Sequence, residues 1–249
     1  MLFCQNLNKV SKTLQHQRFI NGSGQYFCFN FSPDYYWGLL QMAYAQKFTF
    51  TRLSYHSGDW DTDQRMPSNL LNSLLEYTTI PIDEHEKVIP LSSDDIFAYP
   101  FCYLSGHKLV QFDAKEKANF KKYVQNGGFV FVDDCNHDID GLFAKSFEAQ
   151  MVALFGPAAM KKIPNNHRLY HSFFKFEKGP PTTSFELNGW GDDLVHDYLK
   201  AIEINGRIGV LYSSKDYGCE WDYDFRNKRF LAEDNTKFGV NIIVYALNS

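Results

Sequence analysis

No run of about 20 consecutive apolar residues occurs in this 249-residue chain, which excludes a transmembrane helix built from one continuous stretch. The N-terminus also lacks the apolar core, roughly 7–15 residues long, of a secretory signal, so the chain as written is expected to be soluble and to stay in the cytoplasm. Basic residues are in deficit: 25 Lys and Arg stand against 29 Asp and Glu, for a net charge of −4 and a pI near 6.1. A general nucleic-acid binder needs a basic face to displace counterions from phosphates, so that partner class is excluded. Cysteine is sparse and scattered. Cys4, Cys28, Cys102, Cys135 and Cys219 form no CxxC or zinc-type spacing and are odd in number, so neither a zinc ribbon nor a disulfide framework is expected. Internal repeats and low-complexity tracts are missing as well.

What is present is a core. Hydrophobic residues make up 44% of the chain and aromatics 17%, with 23 Phe and 15 Tyr, most of them inside strand-like or helix-like runs where packing is their simplest role. Residues 1–25 read as a polar arm ending in Asn21-Gly22-Ser23-Gly24, and residues 26–249 as a single domain. Within it Tyr26–Phe31 reads as a strand, and Ser32-Pro33-Asp34 opens a helix to about Gln46. Thr49–Tyr55, Glu86–Leu91, Phe101–Ser105 and Phe129–Asp133 read as further strands, with helices at Pro67–Tyr77 and Asp113–Asn126. Asp113 is placed as an N-cap, and Gly127-Gly128 stops that helix.

After a helix at Asp140–Phe155, residues 161–200 lose periodicity and read as an irregular insert over the sheet edge. Asn205-Gly206 between apolar runs signals a hairpin. Tyr217–Asp224 reads as a last loop before a helix at Asn235–Leu247. The alternation predicts an α/β fold with a doubly wound, mostly parallel, flavodoxin-like sheet and an insert after the fourth core strand. The Thr49–Tyr55, Phe101–Ser105 and Phe129–Asp133 strands are expected side by side. Ligands of such sheets sit beyond the strands' carboxyl ends, so Gly58, Asp59 and Trp60, Gly106 and His107, and Asp133, Asp134 and His137 form the predicted ligand-binding set.

Several segments in order resemble one bacterial family. They are Gly58-Asp59-Trp60 with Thr62-Asp63 and the leucine-rich helix beyond, Tyr99-Pro100-Phe101 with Gly106-His107, Gly127-Gly128-Phe129 with Asp133-Asp134-Cys135, and Asn166-His167 with Ser172-Phe173-Phe174. Over roughly residues 49–247 the chain is similar to domain of unknown function 4159, a family whose fold resembles class I glutamine amidotransferases. The resemblance implies a fold and no established reaction. Relatives often carry export signals and are encoded near ATPase and von Willebrand A-type proteins, which implies a role in a cell-envelope assembly and a periplasmic alternative for location.

Cys135 follows a strand as an amidotransferase nucleophile would, and His107 or His167 are its candidate bases. Its surroundings differ from those enzymes: Asp134 and Asn136 flank it in place of glycines, neighbouring carboxylates disfavour a thiolate, and no His-x-Glu pairing follows, although His167, His171 and His196 lie downstream. A divalent metal held by Asp133, Asp134 and His107, with Asp59, His137 or Asp138 as further oxygen and nitrogen ligands, is the second chemical reading. Consecutive strand residues point to opposite faces, which counts against Asp133 and Asp134 acting together. No cofactor is required by the sequence. The expected function is a non-catalytic module that binds a protein partner or small ligand at the carboxyl edge of the sheet, with a Cys135 or metal hydrolase as the alternative.

Overall fold

A computed structural model describes residues 47–189, 191–222 and 232–249. The predicted arm, the strand at Tyr26–Phe31 and the helix ending near Gln46 lie outside them. Seven strands form one sheet: β1 (Thr51–Ser54), β2 (Lys87–Pro90), β3 (Phe101–Gly106), β4 (Phe129–Asp134), β5 (Met160–Lys162), β6 (Lys200–Ile204) and β7 (Arg207–Ser213), in the order β2-β1-β3-β4-β7-β6-β5. From β2 to β7 every pairing is parallel, and β6 and β5 add on antiparallel. β1, β3 and β4 are neighbours, as their sequences predict, and Asn205-Gly206 turns β6 back into β7 with both residues at positive φ.

Alternation along the central strands explains the layering. Phe101, Tyr103, Phe129 and Phe131 face one buried cluster, while Cys102, Leu104, Val130 and Val132 face the other. Strands covered on both faces are apolar throughout, which is why β3 and β4 read as continuous hydrophobic runs. Helices α1 (Met66–Tyr77), α4 (Tyr217–Asp222) and α5 (Ala232–Asn248) cover the first face; α2 (Ala114–Gln125) and α3 (Leu142–Phe155) cover the second. The aromatic content goes largely into these layers, as in the stacked Phe101–Phe129 pair with centroids 5.9 Å apart.

Local signals set the entry into the key strand. Asp113 caps α2 by accepting from Glu116 N at 2.8 Å while the Glu116 carboxylate accepts from Asp113 N at 2.9 Å, a reciprocal capping box. Gly127, at φ +105°, then turns the chain into β4 in a conformation that L side chains rarely adopt. One predicted element is corrected: the supposed loop from Tyr217 contains α4. It is anchored by Gly218 N donating to Asp133 Oδ2 at 2.6 Å, a tertiary bond that no local pattern announces. The insert expected over 161–200 begins inside β5 and ends at the first residue of β6, and between them it is largely irregular, with a short 3-10 turn at Arg168–His171. Among the described residues no helix is long and apolar enough to cross a membrane.

Candidate functional site

β1 feeds β2 on one side while β3 lies on its other side, so the winding reverses between β1 and β3, the place where sheets of this kind take ligands at their carboxyl ends. Asp59 spans it. Its Oδ1 accepts from His107 N at 2.8 Å and Lys108 N at 3.0 Å, and its Oδ2 lies 3.0 Å from His107 Nδ1. Burial works to raise this carboxyl, but the hydrogen bonds from His107 and Lys108 outweigh it and hold Asp59 below its ordinary value. Asn136 ties in the β4 loop by donating to His107 O at 2.7 Å. Beside these residues lies an open cleft of about 410 Å³ lined by His107, Asn136, Asp138, Gly141, Leu142 and Gly191. Gly58 and Gly106 pack against Tyr55, and Trp60 is half-buried against the second core cluster.

Cys135 sits below this rim. Its thiol donates to Asp63 Oδ2 at 3.3 Å and lies 3.5 Å from Thr62 Oγ1; Cys219 donates to the other Asp63 oxygen at 3.1 Å. Contact with Cys219, burial and the carboxylates of Asp63, Asp216 and Asp133 all push the Cys135 thiol well above its ordinary value. No imidazole is among its hydrogen-bond partners in the described residues. His167 lies elsewhere: its Nδ1 accepts from Leu169 N at 3.1 Å, its Nε2 is 3.5 Å from Glu203, and its ring packs on Tyr245.

Asp133 and Asp134 diverge, as strand geometry requires. Asp133 faces α4, where Oδ2 holds Gly218 N and buried Oδ1 has no hydrogen bond of good geometry among the described residues; burial pushes its carboxyl to about 8 in spite of donors at Gly218, Ser213 and Tyr217. Asp134 faces the opposite layer, accepting from Asn136 N at 2.9 Å and Tyr212 Oη at 3.4 Å, and burial pushes it to about 7. With His107 turned toward Asp59, the trio Asp133, Asp134 and His107 does not converge on one point.

His137 is fully buried and points into the insert instead of the cleft. Its backbone is left-handed, at φ +50°, which swings the imidazole back beneath residues 191–196. Nδ1 lies 2.6 Å from Ser214 O, and Nε2 lies 2.9 Å from Leu194 O and 3.6 Å from Asp192 Oδ1. Asp192 Oδ2 is 2.9 Å from His196 Nε2. Burial would raise the Asp192 carboxyl, yet bonds from His196, Ile139 and Leu194 outweigh it and hold it low.

The sequence pattern of the family described as Domain of unknown function (DUF4159) matches residues 49–247. The chain belongs to the DUF4159 family. Comparison with curated proteins gives no match. In this DUF4159 chain the matched region takes in every element of the described sheet and all the edge residues above. Glu186, Asp192 and Lys215 are not singled out by the sequence, and Asp63, His196 and Cys219 are visible there without the contacts they make, because each reaches the edge from a loop or from α4, where no hydrophobic period marks orientation. Only the Asp192-to-His196 spacing inside a turn-rich stretch is a local signal.

Docking of the insert depends on a close backbone approach. A Cβ on Gly191 would fall 1.9 Å from His137 O, and Gly191 has φ +68°. Next to it Asp192 N donates to His137 O at 2.9 Å. Gly191→Ala is therefore expected to release the insert: amide exchange should rise across 186–197 while β3 and β4 stay protected, and unchanged protection in the insert would refute the contact.

Proposed function

We propose that this DUF4159 domain is a non-catalytic binding module, of amidotransferase-like fold, that takes a polar ligand or partner side chain in the crevice at the carboxyl edge of its sheet. The strand order β2-β1-β3-β4-β7 supports the flavodoxin-like half of that reading, since it matches the 2-1-3-4-5 arrangement of doubly wound sheets. One observation carries the functional half. At the position of a nucleophile, Cys135 is buried among Thr62, Asp63 and Cys219, its thiol raised, with no imidazole among its hydrogen-bond partners in the described residues. The groups that do face the cleft are recognition groups. His107 is held by Asp59 on one ring nitrogen and is 44% exposed on its side chain; Asn136, Asp138 and the exposed Leu142 complete a polar rim with one apolar contact.

Thiol reactivity separates this from a cysteine hydrolase. At neutral pH native Cys135 is expected to react with iodoacetamide more slowly than free cysteine, because the thiolate is disfavoured and the sulfur is covered. Fast alkylation that vanishes in Cys135→Ala would overturn the proposal. Binding has its own readout: compounds that raise the melting temperature in a screen of polar metabolites should lose that effect in His107→Ala and keep it in Cys135→Ala.

A further inference from the structure

The lone pairs around His137 carry an inference that does not depend on what the cleft binds. A carbonyl oxygen only accepts, so the contact of Nδ1 with Ser214 O at 2.6 Å places the ring proton on Nδ1. Nε2 faces two more acceptors, Leu194 O at 2.9 Å and Asp192 Oδ1 at 3.6 Å, and meets them with a proton in the charged ring and with a lone pair in the neutral one. His196 turns Nε2 to the other Asp192 oxygen at 2.9 Å, and the two imidazoles meet edge to face with centroids 5.3 Å apart. Both histidine rings are buried, and ligand atoms of His137, Asp192 and His196 all lie within 4.8 Å of one another. Such contacts are satisfied in two ways: by a proton on each Nε2, or by one cation that takes the place of those protons and accepts the same lone pairs.

We propose that His137, Asp192 and His196 bind a divalent transition-metal ion of the zinc class, which fastens the insert to the turn after β4. Two imidazoles and one carboxylate match the preferences of such an ion, and calcium or magnesium would call for more oxygen ligands. Bonds of about 2.0–2.2 Å in a tetrahedron separate neighbouring ligand atoms by about 3.3–3.6 Å. His137 Nε2 is 3.6 Å from Asp192 Oδ1, within that range, and His196 Nε2 is 2.9 Å from the other carboxylate oxygen, Oδ2, so the carboxylate presents one oxygen to each ring. With Leu194 O, 2.9 Å from His137 Nε2, taken as the fourth ligand, the site is closed and structural in type. The surrounding bonds are those that orient metal ligands: Ser214 O fixes the His137 tautomer, and Ile139 N and Leu194 N hold the Asp192 carboxylate at 3.2 and 3.0 Å.

The test uses the whole chain, stripped with a chelator and titrated separately with zinc and cobalt(II). One equivalent of either should bind; cobalt should give the visible d–d absorption of a tetrahedral complex, and zinc should raise the melting temperature. Asp192→Asn and His196→Gln should each weaken binding by roughly tenfold or more. His171→Ala, an exposed histidine outside the cluster, should leave it unchanged. If a variant fails to fold, the native protein decides alone: no stoichiometric uptake, or uptake without the tetrahedral spectrum, overturns the site. Undiminished binding in folded Asp192→Asn and His196→Gln overturns it equally, and a metal-free His137–Asp192 ion pair is then the reading left.

Discussion

Glu186→Leu is expected to destabilise the fold by about 3–5 kcal/mol, the range for removing one partner of a buried ion pair. Lys215 lies two residues past the end of β7 and Glu186 comes from the insert; both side chains are fully buried. Lys215 Nζ donates to Glu186 Oε1 at 2.6 Å, to Oε2 at 2.7 Å and to His196 O. Burial pushes the ammonium below its ordinary value, and Glu186 works against that shift. Removing the carboxylate leaves the ammonium with one carbonyl and also strips acceptors from Thr183 N and His196 N, both at 2.8 Å. Lys215→Met is expected to cost less, because those two amides still hold the Glu186 carboxylate. Urea unfolding of the two variants measures both effects. Losses below about 1 kcal/mol in each would mean that solvent reaches the pair, since that is the range of exposed ion pairs. The order Lys215→Met worse than Glu186→Leu would show that the backbone amides do not support the acid.

This pair also shows where the sequence stops being informative. The helical stripe Leu70, Leu71, Leu74 and Leu75, of which the first three are buried and Leu75 is exposed, the capping box at Asp113 and the apolar runs of β3 and β4 each carry their own period or cap. Layers and strand neighbours therefore follow from local pattern. Edge residues share no such constraint. Cys135 lies next to Asp134 in sequence, yet its sulfur answers to Asp63, 72 positions earlier, and to Cys219 on α4. His137 reads as a wall of the cleft because it follows an acidic strand end, but its left-handed backbone turns the ring under the insert. Gly218 and the acids around it break any helical pattern, and α4 forms because Asp133 holds it from below. Which carboxylates cooperate is thus partly legible from alternation, which separates Asp133 from Asp134, while their true partners depend on loop geometry.

Raising the pH from 5 to 8 is expected to weaken the native fold steeply, and Asp133→Asn to remove much of that dependence. Burial lifts the folded-state Asp133 carboxyl to about 8, against about 3.9 for an unfolded Asp. Between those values the folded chain keeps a proton that the unfolded chain has lost. The stability is fully present below about pH 4 and is lost as pH rises through the folded value, at about 1.4 kcal/mol per pH unit. Asp134, lifted to about 7, adds a second loss of the same sign over a narrower range. Asp59 and Asp192 run the other way: their folded values are depressed, so their contribution is present above about pH 4 and lost on further acidification. The two trends meet near pH 4–5, below the interval of about 5–8 where stability usually peaks. Asparagine at 133 keeps an acceptor for Gly218 N and has nothing to ionise. Its unfolding free energy between pH 5 and 8 should therefore fall by several kcal/mol less than the native chain's, the loss that about 1.4 kcal/mol per pH unit accumulates over that interval. Urea titrations at four pH values compare the slopes directly. Coincident slopes would show that the buried oxygen of Asp133 ionises at little cost, and that water or another donor reaches it beneath α4.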